Sequence, residues 1–228
     1  VRNWLADDGI FHVEVPYVRD MIDRLEFDTI YHEHLSYFSL TALERLFRQA
    51  GLVLWDVERI TMHGGSLIVR GRRSGTPTAA VERLLGEERE AGLTQASRFR
   101  RFADGTRALK RRLPEFVSGL RAGGKRVAAY GAAAKGVVLT NYCGIGRDLV
   151  DYVADRSPHK QGKLMPGTHL PVVAPQKVLD ERPDFLLVLA WNLFDEIAEQ
   201  LDAYHRAGGR FVIPIPEPFV HQGAAEGG

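Results

Sequence analysis

The feature that most constrains this chain is the rhythm of its second half. From Lys125 onward, short apolar runs alternate with amphipathic segments. The pattern predicts strands at 126–130, 149–154, 185–190 and 210–213, with helices at 135–142, 175–181 and 194–207 between them. Strands separated by helices need crossover connections, and crossovers over both faces produce a parallel, doubly wound sheet. The expected fold class is α/β, with a Rossmann-like doubly wound parallel sheet over residues 123–220. Ligands of such a sheet bind at the carboxyl ends of its strands.

The first half follows another order. Residues 9–15 alternate and are rich in Ile, Phe and Val, so they predict a strand that Pro16 stops, followed by a loop. Ser39 is placed to N-cap a helix whose apolar positions are Leu40, Leu43, Leu46 and Phe47, with Gly51 as its stop. Residues 52–60 and 66–72 read as an antiparallel hairpin joined through Thr61-Met62-His63-Gly64-Gly65. Beyond the turn-rich Ser74-Gly75-Thr76-Pro77-Thr78, residues 79–120 are charged and helical in period. The expected division is a first domain over 1–75, a helical linker over 76–122, the doubly wound domain over 123–220 and a disordered Gly/Ala tail over 221–228.

Charge and composition exclude several classes. The 30 Lys and Arg nearly balance the 29 Asp and Glu, so a net charge of +1 gives no reason to expect nucleic acid or an acidic membrane surface. The basic run at 98–112 is interrupted by Asp104 and reads as the solvated face of a helix. No apolar run approaches the roughly 20 residues that a membrane span needs. The single cysteine, Cys143, rules out an internal disulfide or a cysteine-rich zinc site within these residues and suits a cytoplasmic location. Val1-Arg2-Asn3-Trp4 has no initiating Met and no signal-peptide core, so the chain is expected to begin mid-protein.

The densest chemistry lies in Asp28-Thr29-Ile30-Tyr31-His32-Glu33-His34-Leu35-Ser36-Tyr37-Phe38-Ser39. An imidazole takes a proton near neutral pH, and an adjacent carboxylate steadies the cation that results. A phenol donates a hydrogen bond to an oxygen that gains charge. Together these groups suit removal of a proton beside a carbonyl. Two other readings stay open: the histidines cap the following helix, or His32, Glu33 and His34 ligate a metal in a hydrolase. The metal reading is the weaker, because the two histidines lack the i, i+4 spacing of a helical zinc motif.

A second candidate is Tyr130-Gly131-Ala132-Ala133-Ala134-Lys135-Gly136, which joins a strand to a helix. Small residues let backbone amides approach an anion at the helix start, and Lys135 adds a charge there. Neither the dinucleotide fingerprint nor a P-loop is present, and close helix–strand packing explains the same glycines. Asp155 and Lys160 lie further along, and Trp191-Asn192 follows a later strand end.

These residues carry a resemblance. Glu14-Val15-Pro16-Tyr17, Phe27-Asp28-Thr29-Ile30-Tyr31-His32-Glu33-His34-Leu35-Ser36-Tyr37-Phe38-Ser39 and His63-Gly64-Gly65-Ser66 closely resemble the S-adenosylmethionine-dependent sugar 3-C-methyltransferases of deoxysugar biosynthesis. So do the segment from Tyr130 to Gly136, the run from Asp155 to Lys160 with Gly162, Pro166-Gly167-Thr168, and Trp191-Asn192.

The resemblance implies that residues 1–75 hold the last strands of a class I methyltransferase sheet. It also implies methylation of a nucleotide-diphosphate keto-sugar at the carbon beside its ketone. His34 would be the general base, with Tyr31 and Glu33 as polar partners. His63, Gly64, Gly65, Ser66, Tyr130, Gly131, Lys135, Asp155, Lys160, Trp191 and Asn192 would meet the substrate. Most of the S-adenosylmethionine site and a zinc domain would precede this chain, leaving it inactive alone. The rival class is a Rossmann-like nucleotide-binding or oxidoreductase module, which leaves the Tyr31–His34 cluster unexplained.

Overall fold

A computed structural model describes residues 1–60 and 64–221. The chain forms two compact units. Unit 1 comprises Val1–Glu26 and Glu33–Asp104; unit 2 comprises Phe27–His32 and Gly105–Gly228.

Unit 1 is built on a three-stranded sheet. Strand β1 (Phe11–Pro16) and strand β2 (Val53–Ile60) both pair antiparallel with β3 (Ser66–Arg72), which lies between them. The hairpin is therefore where the sequence placed it. The segment after Pro16, expected as loop, starts with a short helix, α1 (Val18–Asp23), that buries Val18, Met21 and Ile22 against Leu93. Helix α2 (Leu40–Gln49) starts at Ser39, whose Oγ accepts the Ala42 N–H at 3.1 Å. Its Leu40, Leu43 and Phe47 enter the core with Leu67 and Val69 of β3. Burying one such side chain is worth about 1.5–3 kcal/mol, so the 3.6-residue period of this segment outweighs the modest helix propensity of its Thr and Phe residues. Helix α3 (Ala79–Glu90) adds Val81 and Leu84 to the same core, so part of the segment read as linker is a wall of unit 1. Helix α4 (Ala96–Ala122) begins in unit 1 and continues in unit 2.

Unit 2 carries the expected α/β sheet, extended by two strands. Strands β4 (Val127–Tyr130), β5 (Val153–Ala154), β6 (Val172–Val173), β7 (Phe185–Val188) and β8 (Arg210–Ile213) run parallel, and β9 (Phe219–His221) is antiparallel to β8. Strands β6 and β9 are too short to show a period in the sequence. The spatial order is β6-β5-β4-β7-β8-β9. Numbered within the sheet, that is 3-2-1-4-5-6, the order that reverses direction between its first and fourth strands. Residues 194–207, expected as one helix, form α7 (Phe194–Gln200) and α8 (Asp202–Arg206), divided at Leu201. Helix α5 (Ala134–Cys143) follows β4, and α6 (Gln176–Glu181) precedes β7. The core gathers Tyr130, Leu186 and Val188 with Ile197, Tyr204 and Phe211.

Among the described residues, no helix is long and apolar enough to cross a membrane. The tail expected to be disordered falls at 222–228, outside the described residues; His221 closes β9.

Candidate active site

In unit 1 the turn that follows β1 is bonded to Gly65 and to Phe38. The Tyr17 N–H donates to the Gly65 carbonyl at 3.0 Å, and the Val18 N–H donates to the Phe38 carbonyl at 3.0 Å. One turn of chain thus ties the Gly64-Gly65 loop on one side and the end of the histidine loop on the other. Glu33 is exposed and His34 half-buried, with the His34 ring edge-on to Tyr37 at 6.3 Å between centroids. Tyr31 and His32 belong to the segment assigned to unit 2. His63 lies outside the described residues.

The two glycines before β3 answer to buried carboxylates that sequence reasoning missed. Gly64 and Gly65 have φ of +93° and +122°, a region that side chains rarely adopt. A Cβ on Gly65 would lie 2.6 Å from Asp20 Cγ, and one on Gly64 would lie 3.2 Å from Glu26 Cδ. Asp20 is buried and bound by the Arg59 guanidinium through both Nε and Nη2. Glu26 is also buried, with Arg24 Nη1 at 3.9 Å, and that guanidinium donates to the Gly64 carbonyl at 3.1 Å. Ser66 is buried where β3 begins, paired with Pro16 and Ile60. Close packing on carboxylates therefore accounts for both glycines.

The helix that follows the histidine loop is held by another unforeseen carboxylate. Glu88 of α3 is fully buried and accepts from the Leu40 N–H at 2.6 Å, the Thr41 N–H at 2.9 Å and the Thr41 hydroxyl at 2.6 Å. With Ser39 on Ala42, the first three amides of α2 are all satisfied, where a helix start would otherwise leave them open. Burial first, then the Glu88 charge, pushes the Tyr17 phenol well above its usual range. Tyr17 stays neutral.

In unit 2 the candidates gather at the carboxyl ends of the parallel strands. The Gly131 N–H donates to the Ala154 carbonyl, and the Leu189 N–H donates to the Tyr130 carbonyl, so β5 and β7 flank the end of β4. Gly131, at φ +99°, leaves no room for a side chain: a Cβ would lie 2.8 Å from that of Ala190. The Tyr130 hydroxyl donates to Gln200 at 3.3 Å, and burial raises its pKa. Asp155 accepts the Ser157 N–H at 2.8 Å and pairs with Lys160 at 3.2 Å. Lys160 keeps 44% of its side chain exposed. Asn192 is exposed in the short turn Trp191–Leu193.

Lys135 and Trp191 meet a residue not among the expected ones. Asp28 is fully buried; its Oδ2 accepts the Trp191 indole N–H at 2.8 Å, and its Oδ1 lies 3.9 Å from the Lys135 ammonium. That ammonium also sits 4.5 Å from the centre of the Trp191 ring. Burial pushes the Asp28 carboxyl up, opposed by Lys135 and by the indole N–H.

Two implied cofactors can be set against these residues. The turn from β1 into α1 is Pro16-Tyr17, so that turn has no glycine to form a backbone cradle for S-adenosylmethionine. At the Gly131 turn of unit 2 the close approach of Ala190 accounts for the glycine by packing. Among the described residues, no group of three or more His, Cys, Asp or Glu is placed to hold a metal.

Comparison with known proteins supplies the decisive observation: residues 61–216 match the C-methyltransferase C-terminal domain. The chain belongs to this C-methyltransferase family. It is also similar to the C-methyltransferase NovU of Streptomyces niveus, with 42% identity over 219 residues, or 95% of this chain and 52% of that protein. The chain therefore spans about half the length of the curated relative it matches. The family match covers unit 1 from residue 61 onward, including β3 and α3, and unit 2 from Gly105 to Pro216, while the similarity to NovU extends across nearly the whole chain.

Proposed function

We propose that this chain carries the carbon-acid half of an S-adenosylmethionine-dependent C-methylation, acting on a nucleoside-diphosphate-linked 4-keto-deoxysugar. His34 is the base. Its neutral imidazole takes the proton from the carbon beside the ketone; the C–H electron pair moves into the enolate and the ring becomes imidazolium. The Tyr31 phenol donates to the ketone oxygen as charge builds there, and Glu33 balances the imidazolium. The enolate carbon is the nucleophile that a C-methyltransferase needs.

The observation that carries this reading is the membership of the C-methyltransferase family together with a half-buried imidazole, edge-on to Tyr37, just ahead of a helix start closed by Ser39 and Glu88. The loop through His63, Gly64, Gly65 and Ser66 is proposed to border the sugar. In unit 2, Tyr130, Gly131, Asp155, Lys160, Trp191 and Asn192 are proposed for the nucleotide side. Lys160 is the better-placed cation for the diphosphate, because 44% of its side chain is exposed against 15% of that of Lys135.

The test separates deprotonation from methyl transfer. The complete enzyme, given a nucleoside-diphosphate 4-keto-deoxyhexose in deuterium oxide without methyl donor, should exchange the proton beside the ketone, read by NMR. His34→Asn should abolish that exchange. Wash-in at the wild-type rate in His34→Asn would remove His34 as the base.

A further inference from the structure

The reversal point of the unit 2 sheet lies between β4 and β7, where open α/β sheets of this order take their ligand. Here a segment of the chain itself reaches that place. The segment Phe27–His32 belongs to unit 2 although the residues on both sides of it belong to unit 1. It is seated against α5, with the Phe27 ring 5.0 Å from that of Tyr142. Asp28 projects to Lys135 in the first turn of α5 and to Trp191 just beyond β7.

The charge and the geometry are those of an anion site already occupied. A helix start with a lysine in its first turn attracts negative charge. The fully buried Asp28 carboxylate supplies that charge, one oxygen on the indole N–H and the other facing the ammonium. Asp28 Oδ1 has no hydrogen-bond partner among the described residues, and the Lys135 ammonium lies just beyond hydrogen-bond distance from it. Trp191 holds both partners, donating through its edge to Asp28 and receiving Lys135 over its face. A buried carboxylate that lost either partner would carry a large desolvation cost, so the three side chains stand or fall together.

We infer that Asp28, Lys135 and Trp191 form an internal clamp in which Asp28 stands where a ligand phosphate would sit, making Asp28 the positioning residue for Tyr31 and His32. The clamp rests on unit 2 alone; its consequence for catalysis rests on the function proposed above. Lys135 thereby serves the protein's own carboxylate, and the substrate diphosphate is left to Lys160.

Amide hydrogen exchange of this chain, read by mass spectrometry, tests the clamp without any activity. Asp28→Ala should raise exchange at residues 27–32 by about tenfold or more while amides of β4, β5 and β7 keep their protection. Asp28→Asn, which retains an acceptor for the indole, should recover part of that protection. Unchanged exchange at 27–32 in Asp28→Ala overturns the proposal. If that variant loses protection throughout unit 2, Lys135→Met decides in its place, since it should give the same confined rise, and no rise there overturns the clamp. In the complete enzyme, a loosened segment should lower kcat about a hundredfold with little change in KM, because misplacement costs the transition state rather than binding. A loss confined to KM would refute the positioning role and leave the His34 assignment standing.

Discussion

Glu88→Ala should be among the most damaging single substitutions in unit 1, although Glu88 lies in the charged stretch from Glu82 to Glu90. The carboxylate accepts three hydrogen bonds at the start of α2. Losing it strands the buried Leu40 N–H, at about 1–3 kcal/mol, and removes two part-buried bonds from Thr41 worth about 0.5–1.5 kcal/mol each. It also takes a negative charge from a helix N-terminus, worth about 0.3–1 kcal/mol. The overlapping contributions come to about 3–5 kcal/mol. At about 2–4 °C per kcal/mol for a chain of this size, the transition should fall by about 6–20 °C. Glu88→Gln keeps one acceptor oxygen but turns an NH2 toward the same donors, so it should lose about 2 kcal/mol. Ser39→Ala removes a single exposed cap bond and should cost about 1 kcal/mol. Thermal denaturation followed by far-UV circular dichroism ranks the three. If Glu88→Ala unfolds within about 1 kcal/mol of the wild type, the carboxylate does not hold the helix start and the argument fails.

Further outcomes follow from the same structure. Gly65→Ala should destabilise unit 1 by at least about 2 kcal/mol in urea denaturation, since the new Cβ meets Asp20 and the positive φ is strained; a neutral result would show that the Asp20 contact yields freely. Cys143 is buried and its thiol is pushed up to about 12, chiefly by burial. It should resist iodoacetamide in the native chain at pH 8.5 and label fully after denaturation; rapid native labelling would contradict its placement in α5.

Much of the fold was legible because it is written in local periods. The 3.6-residue stripe of Leu40, Leu43 and Phe47, the alternation of Phe11–Pro16 and the strand–helix rhythm after Lys125 each record a face that must be buried. The short strands β6 and β9 left little trace, because two or three residues are too few to show a period. The Tyr31–His34 cluster and the Gly131 turn were visible as dense chemistry and as small residues at a strand end. What they engage was not visible.

Most helices and strands, the dense polar cluster at Tyr31–His34 and the motifs shared with the C-methyltransferases could be read from the sequence alone. Only the tertiary structure decided what the charged residues do. Asp20, Asp28 and Glu88 look like ordinary surface acids in the sequence, yet all three are buried, and their partners lie 39, 163 and 48 residues away. A carboxylate's role is set by the donors that surround it after desolvation, and distant segments bring those donors together only once the chain has folded.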